Sequence, residues 1–189
     1  MSSPERRPSA RFDPPSVGLR PAAPRDADQL WRWRSEWSVR RFQPLNDLSS
    51  GQLRSEIVNQ RISDLYQGRG DKFQWIVLAQ GQPAGWITLV VTNWDHGLGE
   101  VGYALGTSFQ GKGLMTQALA QLLADLFHNT PIERIEARCA IGNKTSHRLL
   151  EKHGFHQEGV LRGYFSLRGR RVDNVLYALL KREYLANLR

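Results

Sequence analysis

The sequence predicts a single α/β domain built on a mixed sheet, and three observations carry that prediction. At 189 residues, 40% of them hydrophobic, the chain is long enough for one sizeable core and short for two. Its apolar period changes near residue 72 from helical to alternating, after which strand-like and helix-like runs succeed one another. Between two such runs lies "FQGKGLMTQAL" (109–119), where a glycine pair leads into an apolar pattern of helical spacing.

Residues 1–17, rich in Pro, Ser and Arg, bury too little apolar surface to order themselves and read as a basic disordered tail, which leaves 18–189 as the domain. "VGLRPA" is strand-like. "PRDADQLWRWRSEW" reads as one helix opened by Pro24 and Asp26, with Leu30, Trp33 and Trp37 on one side. "DLSSGQLRSEIVNQRISDLYQG" reads as a second helical stretch with Leu53, Ile57, Ile62, Leu65 and Tyr66 as its apolar stripe. "KFQWIVLAQGQPAGWITLVVT" is a hairpin turning at "QGQPAG", and "GEVGYALG" continues the meander.

The glycine stretch then opens a helix with two apolar rows, Leu114, Ala118, Leu122 and Leu126 beside Met115, Leu119, Leu123 and Phe127. "IERIEARCAI" is a strand. "NKTSHRLLEKHGF" is a helix capped by Asn143 and stopped at Gly154. "HQEGVLRGYFSLRGRRVDNVLYALLKREYL" reads as two strands joined by the basic turn "LRGRR".

Composition removes several function classes. No apolar run approaches the roughly 18 residues of a membrane span, and the N-terminal stretch lacks the apolar core of a signal peptide, so the expectation is a cytoplasmic protein without a membrane partner. One cysteine, Cys139, allows no internal disulfide and no zinc cluster of the usual spacing; it reads as a small buried hydrophobe. The net charge of +8 sits at the two ends. Residues 1–41 hold nine basic and five acidic side chains and residues 161–189 seven and two, whereas 42–160 hold ten and eleven. Such local excess suits an anionic partner, RNA or an acidic peptide, or else a solvated face that serves solubility.

A strand, a glycine loop and a helix N-terminus in succession present free backbone N–H groups to an anion, assisted by the helix dipole. Gln110, Gly111, Lys112, Gly113 and Leu114 would supply the amides, and Lys112 an added charge. A tight turn that needs its glycines only for geometry is the bland alternative. "GTSFQGKG" begins like a nucleotide-hydrolase loop, but Gly113 stands where Ser or Thr would hold magnesium. The dinucleotide pattern fails too, as "GKGLMT" lacks the third glycine. A pyrophosphate site with no metal remains.

"QGKGLMTQAL" resembles the acyl-CoA loop of the GNAT superfamily of N-acetyltransferases. "NKTSHRLLEKHGF" is similar to the N-x-x-S helix and K-x-G-F of its ribosomal-protein-alanine N-acetyltransferase branch, and "LRPAAPRDADQLWRWRSEWSVRRF" and "GRRVDNVLYALLKREY" resemble that branch's opening and closing segments. The likeness spans roughly 18–185. It implies a single-domain GNAT-like fold, with a mixed, largely antiparallel central sheet of about six to seven strands flanked by about four helices. It also implies acetyl-CoA as donor co-substrate, its pyrophosphate on the amides from Gln110 to Leu114 and on Met115, its pantetheine arm along the backbone of Val101, Gly102 and Tyr103, and Asn143 in contact with it.

Transfer requires a neutral amine. A protein α-amine titrates near about 7.7–8.0 and lysine near about 10.4, so a modest base suffices for an N-terminus. Glu100 resembles the strand glutamate that many members use as that base, often through water, or else it is a solvated strand-end carboxylate. Ser146 resembles the serine that protonates the departing thiolate in this branch, with Tyr103 and Tyr164 as alternative donors. His96, His147, His153 and His156 read as turn, packing or solvent residues, so the expected route is direct attack without a covalent enzyme intermediate.

The tryptophans among the arginines near residues 31–41 read as core residues of a helix rather than an RNA platform. The basic ends disfavour polycationic acceptors and suit an acidic N-terminal peptide, or a ribosomal protein presented beside RNA. The expected acceptor is therefore a protein N-terminal α-amine. A small-molecule amine, or a non-catalytic acyl-CoA or RNA-binding module, is the alternative, and the chain would act as a monomer or homodimer.

Overall fold

The computed structural model describes residues 16–188, and the expectation for residues 1–15 lies outside them. The first strand, β1 (Val17–Pro21), starts at Val17, the last residue assigned to the tail. With β2 (Lys72–Ala79), β3 (Gln82–Asn93), β4 (Leu98–Leu105), β5 (Arg134–Ala140), β6 (His156–Leu167) and β7 (Arg170–Leu180) it forms one sheet, ordered β1-β2-β3-β4-β5-β7-β6. Every neighbouring pair is antiparallel except β4 and β5.

Four helices of nine or more residues flank the sheet: α1 (Ala27–Ser35), α3 (Ser50–Val58), α5 (Leu114–Asn129) and α6 (Lys144–Lys152). Three shorter ones, α2 (Trp37–Arg40), α4 (Ile62–Tyr66) and α7 (Lys181–Ala186), complete the α-helices among the described residues. Both rows of α5 are buried, from Leu114 to Phe127, against a sheet face that carries Leu89, Val101, Ile135 and Tyr177. Each large side chain buried in this way contributes about 1.5–3 kcal/mol. On the opposite face Leu30, Trp33, Leu53 and Ile57 cover Ile76 and Trp86, and the Trp33 and Trp86 rings lie 6.3 Å apart and nearly parallel.

Three sequence expectations change. The helix expected over 24–37 breaks at Glu36, whose extended backbone lets its carboxylate accept from the Thr107 amide (2.7 Å) and hydroxyl (2.6 Å). The break turns Trp37 off the core face: it is 65% exposed and Trp31 46%, whereas Trp33 is 3% exposed, so the core expectation holds for Trp33 alone. The stretch over 47–68 divides into α3 and α4 around 59–61, where the Gln60 carboxamide bonds the edge of β2 through the Gln74 amide and carbonyl. The closing strand ends at Leu180, whose amide is capped by Glu183, and α7 follows.

The centre of the sheet holds the feature that positions the site. β4 and β5 pair over three positions only, Leu98 with Arg134, Gly99 with Ile135 and Glu100 with Glu136. From Val101 onward β4 keeps β3 on one side, while β5 follows β7, so the sheet forks.

Candidate active site

The glycine loop lies at the mouth of the fork. Gly111 and Gly113 take φ of 75° and 72°, and a Cβ at either would meet nothing within 4 Å. The left-handed dihedrals, rather than lack of space, therefore call for glycine. Gly113 is the N-cap of α5, and the Gln117 amide is the first to bond back into the helix, to the Gly113 carbonyl (3.3 Å). The amides of Leu114, Met115 and Thr116 are thus the unpaired donors of a sixteen-residue helix with no acid in its first turn.

Two members of the loop are used differently from the sequence expectation. The Gln110 amide is committed to the Thr107 carbonyl (3.3 Å), and its side chain ties Leu105 O (2.9 Å) to the Ser38 hydroxyl (3.2 Å). Lys112 turns its ammonium to the Ser108 carbonyl (2.7 Å), so its charge is spent on the loop itself.

Two cavities meet at the fork. The first, about 440 Å³, runs from Gly111, Gly113, Leu114 and Met115 to Asn143 and Ser146, with Arg41, Arg148 and Lys152 adding positive charge. The second, about 290 Å³, opens on the α1–α3 side and holds Glu100, Val101 and Gly102. Phe42, Gln43, Tyr103, Asn143 and Ser146 belong to both.

At that junction the Tyr103 and Ser146 hydroxyls are 2.7 Å apart. Asn143 caps α6 by accepting from the Ser146 amide (3.3 Å), which fixes the serine's position. Burial pushes the Tyr103 phenol well above its ordinary value, so it stays protonated at neutral pH and can donate. The cleft-facing carbonyl of Tyr103 accepts from the Gln43 carboxamide (2.9 Å). Cys139 lines the second cavity, and burial pushes its thiol up, away from the thiolate a nucleophile needs.

Glu100 lies at the last position of β4 that pairs with β5, with its carboxylate bonded to Arg138. Arg138 also binds Glu136 (3.1 Å); Arg134 binds Glu136 (2.9 Å) and Glu158 (2.5 Å). This ladder occupies one face of β5 because residues 134, 136 and 138 alternate. Elsewhere in the second cavity Glu56 pairs with Lys72 at 2.6 Å. The two basic ends of the chain also meet: the Arg168 guanidinium stacks 3.9 Å from the Trp37 ring centroid and donates to the Arg40 carbonyl (3.1 Å).

Sequence reasoning did not single out Phe42, Gln43, Arg138 or Arg148. The R-x-E-x-R alternation over 134–138 carried a signal for Arg138. Nothing local marks Phe42 or Gln43, which a loop delivers to the junction.

The model of the "Acetyltransferase (GNAT) domain" family matches residues 16–156. The chain is 34% identical over 163 residues to "Uncharacterized N-acetyltransferase p20" of Bacillus licheniformis, covering 84% of this chain and 89% of that protein. It is 39% identical to the "[Ribosomal protein uS5]-alanine N-acetyltransferase" of Escherichia coli over 79 residues, 42% and 41% of the two chains. To the "Spermidine N(1)-acetyltransferase" of the same species it is 26% identical over 172 residues, 90% and 89%.

Proposed function

Since the chain belongs to the GNAT family of acetyltransferases, and so is an acetyl-CoA-dependent N-acetyltransferase, we propose that its acceptor is the α-amine of a protein N-terminus. The observation that carries this reading is the meeting of two cavities at Tyr103 and Ser146, one rich in amides and cations, the other holding Glu100. In this reading the amides of Gly111 to Thr116 hold the donor's diphosphate, with Arg41, Arg148 and Lys152 adding charge. The backbone of Val101, Gly102 and Tyr103 lies along its amide-bearing arm, which competes with Gln43 for the Tyr103 carbonyl.

Glu100, directly or through water, takes the proton of the incoming ammonium. The neutral nitrogen then forms the new C–N bond at the thioester carbon as the C–S bond breaks. The thiolate receives its proton from the Tyr103 hydroxyl, which Ser146 orients; the second proton, shed by the acylated nitrogen, restores the phenol, and no acyl group passes through the protein. The contact with Arg138 fixes where the Glu100 carboxylate sits in the cavity.

The charge pattern of the second cavity favours a peptide over a polyamine. A polycation needs uncommitted carboxylates, yet Glu56 and Glu100 are each already paired with a cation. A small-molecule amine is the second reading, supported by the likeness to the spermidine enzyme over most of the chain.

The test incubates the protein with acetyl-CoA and a pool of peptides of varied N-termini, some with lysine, alongside spermidine, and locates each acetyl gain by fragment mass spectrometry. Acetylation of α-amines in a limited set of peptides is the expected result. Acetyl-spermidine with unmodified peptides would replace the proposal with the second reading.

A further inference from the structure

The second cavity contains three cations, and two of them are spoken for. Lys72 pairs with Glu56 and Arg138 with Glu100 and Glu136. The third, Arg34 in the last turn of α1, is half-buried, and no ion pair among the described residues includes it. Its one described hydrogen bond runs to the Asn46 carbonyl at 3.3 Å, long for a charged donor. Asp47, beside it in the adjoining surface hollow, is taken by Arg40 at 2.6 Å.

A guanidinium left in this way inside a cavity bears a desolvation cost that no direct ion pair offsets. Burial accordingly pushes Arg34 below its ordinary value, with Glu56 offsetting part of the effect. Five fixed donors on a planar fork fit a carboxylate in two-point contact. We infer that Arg34 is a specificity residue that selects acceptor peptides bearing an aspartate or glutamate side chain shortly after the reactive N-terminus. The inference rests on the N-terminal reading above and adds to it a class of sequence.

The test uses the full chain and peptides identical except at positions 2, 3 and 4, each in turn Asp, Asn or Lys, and measures kcat/KM for α-amine acetylation. At one of these positions the wild-type protein should prefer Asp to Asn by about tenfold or more, equivalent to about 1.4 kcal/mol of charge-assisted bonding. Arg34→Gln should bring that ratio near one, and Arg34→Glu should transfer the preference to Lys at the same position. A wild-type Asp/Asn ratio near one at all three positions would overturn the inference while leaving N-terminal acetylation standing; so would an unchanged ratio in Arg34→Gln. Acetylation of no peptide would overturn the N-terminal reading and this inference with it. The wild-type ratio needs no variant, so a poorly folding substitution leaves the test intact.

Discussion

Replacing Gly113 by alanine isolates the dihedral demand of the loop. An added Cβ would touch nothing within 4 Å, so no steric penalty from neighbours enters. What remains is φ of 72°, which costs an L-residue about 1–2 kcal/mol. Gly102 supplies the control: a Cβ there also meets nothing within 4 Å, and its φ is outside the left-handed region. Gly102→Ala should therefore stabilise by about 0.4–1 kcal/mol, by restricting the unfolded chain. Since the unfolded-chain term is common to both, the two substitutions should differ by the dihedral cost alone, about 1–2 kcal/mol, at roughly 2–4 °C of Tm per kcal/mol for a chain of this size. Urea unfolding with a common slope measures both, and Gly113→Asn, which tolerates the left-handed region, should lose less than the alanine variant. Equal effects at 102 and 113, or an asparagine as harmful as alanine, would refute the argument that backbone conformation dictates the glycine.

Three further outcomes follow from the geometry. Glu100→Gln should lower kcat/KM at pH 7 by about 10²–10⁴-fold, and the deficit should shrink above about pH 8, where a peptide α-amine is already neutral. Tyr103→Phe should lower kcat more than Ser146→Ala does, because the serine acts through the phenol; since burial holds that phenol protonated, wild-type kcat should show no alkaline loss from it up to about pH 10, as a pH–rate profile checks. Asp26 is buried, which alone would raise its pKa, but two 2.6 Å bonds from Arg20 and the Ala23 amide hold it below the ordinary value. That depression stabilises the fold above the unfolded pKa of about 3.9 and is lost as pH falls through the lower folded value. Asp26→Asn should therefore cost about 2–3 kcal/mol at pH 7, and the gap to wild type should close toward pH 3 in urea titrations.

Where one element decides its own conformation, the sequence was sufficient. The paired apolar rows of α5 and the cap at Asn143 are local patterns, and both lie where their letters put them. The break at Glu36 is different in kind, because its cause is an amide 71 positions further along. A helical period through Trp37 contains no trace of that contact. The site divides in the same way. Gly111, Gly113 and Glu100 announce themselves by residue type next to a strand or helix end, and the fork brings them to two joined cavities. Gln43 reaches the Tyr103 carbonyl from a loop sixty residues earlier, and Gln110 reads as an anion ligand although its amide is bonded to the Thr107 carbonyl. Tertiary contacts of this type leave no periodicity to read.

The three-residue seam between β4 and β5 also bears on how much of this protein a cell retains. The strands from β1 to β4 pair with their neighbours in chain order, and the other bank joins them through three registered positions, so that α5, whose apolar rows pack on both banks, holds much of the seam closed. A donor gripping both banks binds only the closed form and adds about 2.7 kcal/mol to it when present at a hundred times its Kd. Partly open chains are the ones proteases remove, so a difference of that size alters abundance several-fold. Saturating acetyl-CoA should therefore slow digestion of the purified chain by an added protease.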